Sequence, residues 1–288
     1  MREAQIIMQL KKLFAPVGSL DAEEAKAYMA GHREGEYTLL DVRQPGEYED
    51  SHLPGAKLMP LPLLSDTYQE LDPEKPTLVH CAVGGRSRVA AQMLSGLGFK
   101  EVYNLAGGIK AFHGHKATGP MELNLDLVKG DETPAQIITL AYGMEKALQL
   151  FYETLKRQSP DQELQDLFGK LAQVEVRHEQ RLFEVYGRVA SKGQDLATFE
   201  LAVVPQTLEG GFSAEEFLAT NKSHLQTAPE VLDLAMMLET QALDLYLRFA
   251  GRCGQPQTRE VLYALAGEEK AHLASLGRLL EEKSGPRG

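Results

Sequence analysis

The 288-residue chain has no tryptophan and only two cysteines, Cys81 and Cys253. Two cysteines cannot build a disulfide framework, and neither sits in a C-x-x-C pair, which leaves no redox dithiol or cysteine-rich metal knot. No apolar stretch approaches the roughly 20 residues of a membrane span. Positive charge is also scarce: 30 Lys and Arg stand against 41 Asp and Glu, a net charge of −11. That balance argues against nucleic acid or an anionic membrane as the main partner. The opening stretch, MREAQIIMQLKKLFAPVGSL, has an early acid, a broken apolar run and no small-residue cleavage site. It reads as a leading amphipathic segment rather than an export signal. These absences together predict a cytoplasmic protein with reduced thiols.

The residues that are present divide into two halves. Composition is globular, with 43% hydrophobic and 25% charged residues, and the length suits two domains. Residues 1–118 carry 13 basic and 15 acidic groups, whereas residues 119–288 carry 17 and 26, so carboxylates concentrate in the second half. From about 20 to 118, short apolar runs (YTLLDV, AKLMPL, TLVHC, EVYNL) alternate with helical stretches. Asp21 and Glu24 are spaced to cap the helix in LDAEEAKAYMAGH, and SRVAAQMLSGLG is closed by glycine. Such alternation predicts an α/β domain over 1–118, a parallel sheet flanked by helices. Residues 119–132 read as a linker.

From Thr133 the period becomes 3.6 and four long helices fit, at about 134–158, 161–190, 228–252 and 257–284. A polar crossover joins the second to the third, and SAEE at 213–216 begins a short helix within it. The half is an internal repeat of period 94: Thr133 recurs as Thr227, Glu145 as Glu239, Tyr152 as Tyr246, Glu175 as Glu269 and His178 as His272. An all-α four-helix bundle with one long crossover over 133–288 accounts for it.

EVRH (175–178) and EKAH (269–272) are both Glu-x-x-His, a spacing that puts the two side chains on one helix face, one turn apart. In each long helix a carboxylate interrupts an otherwise apolar seam: Glu145, Glu175, Glu239 and Glu269. Glu145 and Glu175 are 30 residues apart about the SPD turn, as are Glu239 and Glu269 about CGQP. Fifteen residues along each helix, at about 1.5 Å per residue, bring all four to one level. A single Glu-x-x-His is ordinarily a solvated helix face. Two copies in repeat, each with a partner glutamate on the seam, point to a cage in which divalent cations offset buried carboxylates.

These residues resemble the di-iron carboxylate site of ferritin-like proteins, the rubrerythrin group especially, over about 130–288. The resemblance implies two iron ions, with manganese as the alternative, and chemistry with oxygen or peroxide. It assigns Glu145 and Glu239 as terminal ligands, Glu175 and Glu269 as bridging ligands, and His178 and His272 as one imidazole per metal. The rubredoxin-type centre of rubrerythrins has no cysteines here to form it. The extra glutamate those proteins carry one turn after the third-helix ligand is Ala242. Tyr152 and Tyr246 are candidate radical traps that pack equally well as core. By analogy with such bundles, a homodimer is expected.

Cys81 lies at the end of TLVHC, before a helix, at the sheet edge where α/β folds bind ligands. Gly84 and Gly85 let main-chain N–H groups converge on its sulfur, and the helix dipole and Arg86 favour thiolate. A phosphatase loop needs five residues between cysteine and arginine; only Ala82, Val83, Gly84 and Gly85 intervene, a smaller ring suited to one sulfur atom. LLDVRQPGEYEDSHLPGA (39–56), CAVGGRS (81–87) and VYNLAGGIKAF (102–112) together resemble the rhodanese domain over about 20–115. That resemblance implies a sulfurtransferase whose Cys81 takes sulfur from thiosulfate, polysulfide or a persulfide, holds it as a persulfide, and passes it to a thiophilic acceptor. It places Cys81 and Arg86 in catalysis, the N–H groups of 82–86 on the anion, and Asp41 and Arg43 as an ion pair bracing the loop. Cys253 is a candidate acceptor. The alternative leaves catalysis, or persulfide sensing, to the first domain and makes the bundle a metal-storage or dimerisation module.

Overall fold

The computed structural model describes residues 17–190, 195–205 and 207–284, so most of the leading segment lies outside the described residues. The chain forms two compact units, divided after Leu123.

The first unit is a five-stranded, all-parallel sheet in the order β1-β5-β4-β2-β3. Its strands are β1 (Gly18–Leu20), β2 (Thr38–Asp41), β3 (Lys57–Leu58), β4 (Thr77–His80) and β5 (Val102–Leu105). Helices α1 (Ala22–Ala30), α2 (Pro45–Asp50), α3 (Leu64–Thr67), α4 (Gly85–Gly96) and α5 (Gly108–Ala111) lie between and after them. Asp21 caps α1 in the reciprocal box with Glu24 that the spacing predicts. The central strand β4 is buried at every position, which is why TLVH reads as a continuous rather than an alternating run. Strand β1, only three residues long, has no periodicity by which the sequence could reveal it. Apolar cores form on both sheet faces, one around Leu40, Val79 and Leu94, the other around Tyr48, Leu78 and Ile109.

The second unit is a four-helix bundle of α6 (Pro134–Gln158), α7 (Gln162–Val189), α10 (Ala228–Arg252) and α11 (Pro256–Ser284). Two short helices, α8 (Leu196–Ala202) and α9 (Ala214–Asn221), and a single turn at Glu209–Gly211 occupy the crossover. Ser213 caps α9 as SAEE predicts, and Asp195, which sequence reasoning did not single out, caps α8 by accepting from Thr198 N–H. Repeat symmetry extends to the helix starts: Thr133 and Thr227 both form capping boxes, with Gln136 and Glu230.

The segment 119–132 is not a free linker along its length. Val128 is 1% exposed and packs into the bundle core, Gly254 N–H donates to Gly130 O at 3.1 Å, and Thr258 Oγ1 donates to Glu132 O at 2.7 Å. Gly119 N–H donates to Glu49 O at 2.7 Å in the first unit. Polar composition misleads here because the stretch is held through its main chain.

Thr227→Ala removes the side-chain acceptor of a box that starts a buried helix. It is expected to destabilise the protein by about 1 kcal/mol, read as a lowered urea midpoint with unchanged slope.

Candidate functional site

Glu145 on α6, Glu175 and His178 on α7, Glu239 on α10 and Glu269 and His272 on α11 converge in one layer of the bundle. The donor atoms of Glu145, Glu175 and His178 lie within 4.8 Å of one another, and so do those of Glu239, Glu269 and His272. His178 Nδ1 is 2.9 Å from Glu175 Oε2 and 3.4 Å from Glu145 Oε2. In the other half, His272 Nδ1 is 2.9 Å from Glu269 Oε2 and 3.2 Å from Glu239 Oε2. The two imidazoles stack with centroids 3.6 Å apart and planes 6° from parallel. Each histidine thus turns the same nitrogen toward two carboxylates, a repeat-symmetric arrangement that requires the Glu and His of each pair to share one face of their own helix.

All four glutamates are buried, at 3% exposure or less. Burial, opposed by the His178 contact and assisted by the Glu175 and Glu239 charges, raises Glu145 to about 8. Burial and neighbouring carboxylates hold Glu175 and Glu269 well above their ordinary range. Glu239 goes the other way: burial is outweighed by contacts from His272 and Glu269, and its pKa falls. Oxygen and imidazole donors of this kind suit iron or manganese, and the excess negative charge is what bound cations would neutralise. The donor set fits a two-metal centre. Tyr152 and Tyr246 are buried at 3% and 1% exposure, and burial beside these carboxylates keeps both phenols protonated.

One carboxylate of this layer has no place in the helical repeat. Glu209, from the crossover turn, is 0% exposed, and one of its oxygens lies within 4.8 Å of donor atoms of Glu145 and Glu269. The residue one turn past Glu239, Ala242, is fully buried and apolar. The sequence signal for Glu209 was slight: an acid directly before Gly210 and Gly211, in a segment with no period.

In the first unit, Cys81 follows β4 and its side chain is 1% exposed. Gly84 N–H donates to Cys81 Sγ at 3.1 Å. The Ser87 hydroxyl lies 3.4 Å from the same sulfur and 2.7 Å from Asn104 Oδ1. One hydroxyl proton serves only one acceptor at a time, so Ser87 can turn its proton to the sulfur when the thiolate forms. Burial raises the Cys81 pKa, yet hydrogen bonds from Ser87 and from the main chain at Val83 and Gly84 outweigh it, leaving a net lowering. Ala82 and Gly85 complete the loop. The turn after β5 holds it from below: Ile109 N–H donates to Cys81 O at 2.8 Å, and a Cβ on Gly108 (φ 59°) would lie 2.3 Å from that oxygen.

The Arg86 guanidinium forms a bidentate pair with Glu47, both contacts 2.6 Å, so it is clamped to α2 while its charge stays near the thiol. Glu47, which sequence reasoning did not single out, is lowered to about 2, chiefly by the Arg86 contact. Asp41 and Arg43 form a buried ion pair at 2.7 Å, and Arg43 also donates to Ser51 O at 2.7 Å, tying β2 to the end of α2. His80 lies 3.8 Å from Asp41 and is fully buried; burial lowers it to about 4 and keeps it neutral. Cys253, the candidate acceptor, is 3% exposed at the end of α10, and burial raises its thiol pKa. It is less readily ionised than Cys81.

Two outcomes follow from these environments. Carboxyls whose folded pKa exceeds the unfolded value hold protons that the unfolded chain releases, so their contribution is present at low pH and lost as pH rises. For Glu145 that loss runs from its ordinary 4.5 to about 8. Metal-free protein should therefore melt higher near about pH 5 than near about pH 8, with Glu239 opposing the trend, and divalent metal should restore the midpoint at the higher pH. Separately, Ser87→Ala should raise the apparent pKa of Cys81 alkylation and slow thiolate reactions about 10-fold at neutral pH, the scale of one hydrogen bond to a charged group.

Comparison with known proteins places both units. The Rubrerythrin family model matches residues 136–280 and the Rhodanese-like domain model matches residues 21–115. Rhodanese-like/PpiC domain-containing protein 12, chloroplastic, from Arabidopsis thaliana is 40% identical over 111 residues, which are 37% of this chain and 37% of that protein. Uncharacterized protein YqhL of Bacillus subtilis is 40% identical over 87 residues, 30% of this chain and 68% of that one. Thiosulfate sulfurtransferase GlpE of Coxiella burnetii is 37% identical over 86 residues, 30% of this chain and 80% of that one. No helix among the described residues is long and apolar enough to cross a membrane. The chain belongs to the rubrerythrin family through its helical bundle, and it carries that bundle behind a rhodanese-like domain.

Proposed function

We propose that the protein transfers sulfane sulfur through Cys81 and holds a di-iron centre in its bundle that reacts with peroxide or oxygen. The observation that carries the first part is the convergence of Gly84 N–H and the Ser87 hydroxyl on a thiol whose pKa is lowered. The Cys81 thiolate attacks the outer sulfur of a donor such as thiosulfate; a new S–S bond forms, the donor's own S–S bond breaks, and sulfite leaves with the electron pair. Main-chain N–H groups of the loop, with Ser87, then hold the terminal sulfur's charge. A thiolate, cyanide or sulfite acceptor attacks that sulfur and returns Cys81 as thiolate. Arg86, fixed by Glu47, supplies positive potential at the loop mouth. The similarity to a thiosulfate sulfurtransferase supports this donor class.

For the bundle, Glu145, Glu175 and His178 would hold one ion and Glu239, Glu269 and His272 the other. Bound iron would supply the redox chemistry. The protein's own part is to keep the donors dry and in register and to surround them with protonated tyrosines. A cytoplasmic homodimer with small-molecule partners completes the reading.

Cys81→Ser should abolish thiosulfate-to-cyanide sulfur transfer while metal content and peroxide turnover stay at the wild-type level. Loss of sulfur transfer and metal together would contradict two independent sites, and unchanged sulfur transfer would contradict the role of Cys81.

A further inference from the structure

Resting on the di-metal reading above, we propose that Glu209 is a seventh protein ligand of the centre, delivered by the crossover rather than by the helical repeat, and that it makes the two ion positions inequivalent. Glu209 is 0% exposed, and neither of its carboxylate oxygens has a hydrogen-bond partner. A buried carboxyl without a partner is disfavoured, the more so when ionised, so a role in packing alone is a poor account of it. The side chain is aimed at the layer where cations would offset it, within reach of Glu145 from one half of the repeat and Glu269 from the other.

The turn that carries Glu209 is built to insert it. Gly210 and Gly211 adopt φ of 73° and 83°, the left-handed region that glycine enters at no steric cost. A Cβ on Gly210 would lie 2.7 Å from Gln241 Cβ, and one on Gly211 would lie 2.6 Å from Asn124 Nδ2. Asn124 Nδ2 donates to Gly210 O at 2.7 Å, Leu208 N–H donates to Phe212 O at 2.7 Å, and Leu208 is fully buried on the residue's other side. The backbone is thereby pressed against α10 with its one acid pointing inward.

Symmetry supplies the second half of the inference. The other six donors come in pairs 94 residues apart, so the repeat alone gives two equivalent positions. Counting back 94 from Glu209 reaches His115, which lies in the first unit, so Glu209 has no partner in the repeat. Glu209 is grouped with Glu145 and Glu269 and not with their repeat counterparts Glu239 and Glu175, so it breaks the equivalence of the two positions.

The test is anaerobic titration of the full-length, metal-free chain with ferrous ion against a competing chelator, alongside thermal melting. Wild type is expected to take up two ions in steps of unequal affinity. Glu209→Gln keeps the shape of the side chain and should weaken one step by at least about 10-fold while leaving the other near its wild-type value. Metal-free Glu209→Gln should melt no lower than wild type, since a buried acid has been replaced by a neutral amide. Gly210→Ala, which dislodges the turn and leaves the carboxyl in the sequence, should weaken the same step. Unchanged affinity of both steps in Glu209→Gln overturns the proposal and leaves the six-residue centre intact. Glu175→Gln, titrated in parallel, separates the two: a wild type that binds no ferrous ion, indistinguishable from Glu175→Gln, overturns the di-metal reading and this proposal with it.

Discussion

The constraint on which the bundle depends is electrostatic. Four glutamates from four helices meet in an apolar core, and Glu209 adds a fifth carboxyl to them. Transfer of ionised carboxylates from water is opposed by desolvation and by their mutual repulsion. The fold answers only part of this with protein groups: His178 and His272 each face two carboxylates, and burial beside like charges raises the pKa values of Glu145, Glu175 and Glu269, which favours their protonated forms in the absence of metal. A pair of divalent cations would replace those protons. Capping boxes, seams and turns then serve to hold opposite helices at the height where that exchange takes place.

The cysteine loop meets the same problem at smaller scale and with neutral dipoles. One sulfur needs one negative charge stabilised, and N–H groups with a hydroxyl point at it, with the Arg86 charge nearby. The arginine is turned to Glu47 and the fully charged pair Asp41–Arg43 is kept behind the loop as a brace. In the proposed transfer, the thiolate and the persulfide each carry one negative charge, so the local charge would change little. The two units therefore use opposite strategies: fixed dipoles around a transient anion in one, buried carboxyls that would exchange protons for cations in the other.

How much of this the sequence reveals depends on whether a residue lies in a regular element. Glu145, Glu175, His178 and their repeats are legible because an acid breaks an apolar seam of period 3.6, and because the break recurs 94 residues on. Cys81 is legible because strand, glycine turn and helix follow one another within a few residues. Glu209 is not, since a single turn has no period, and only its two glycines hint at a constrained backbone. Glu47 escapes because its partner Arg86 is 39 residues away and nothing local joins them. Ser87 stands in the quoted loop, but its bond to Asn104, 17 residues on, depends on the pairing of β4 with β5. The packing of 124–132 was hidden because main-chain hydrogen bonds leave no mark on composition.

The central claim is that the buried carboxylate layer exists to hold cations. Elemental analysis of protein purified without added metal tests it most directly. The account predicts about two iron or manganese ions per chain, lost on treatment with a strong chelator and regained on dialysis against the metal. Well-folded protein that contains no transition metal and takes none up would contradict it.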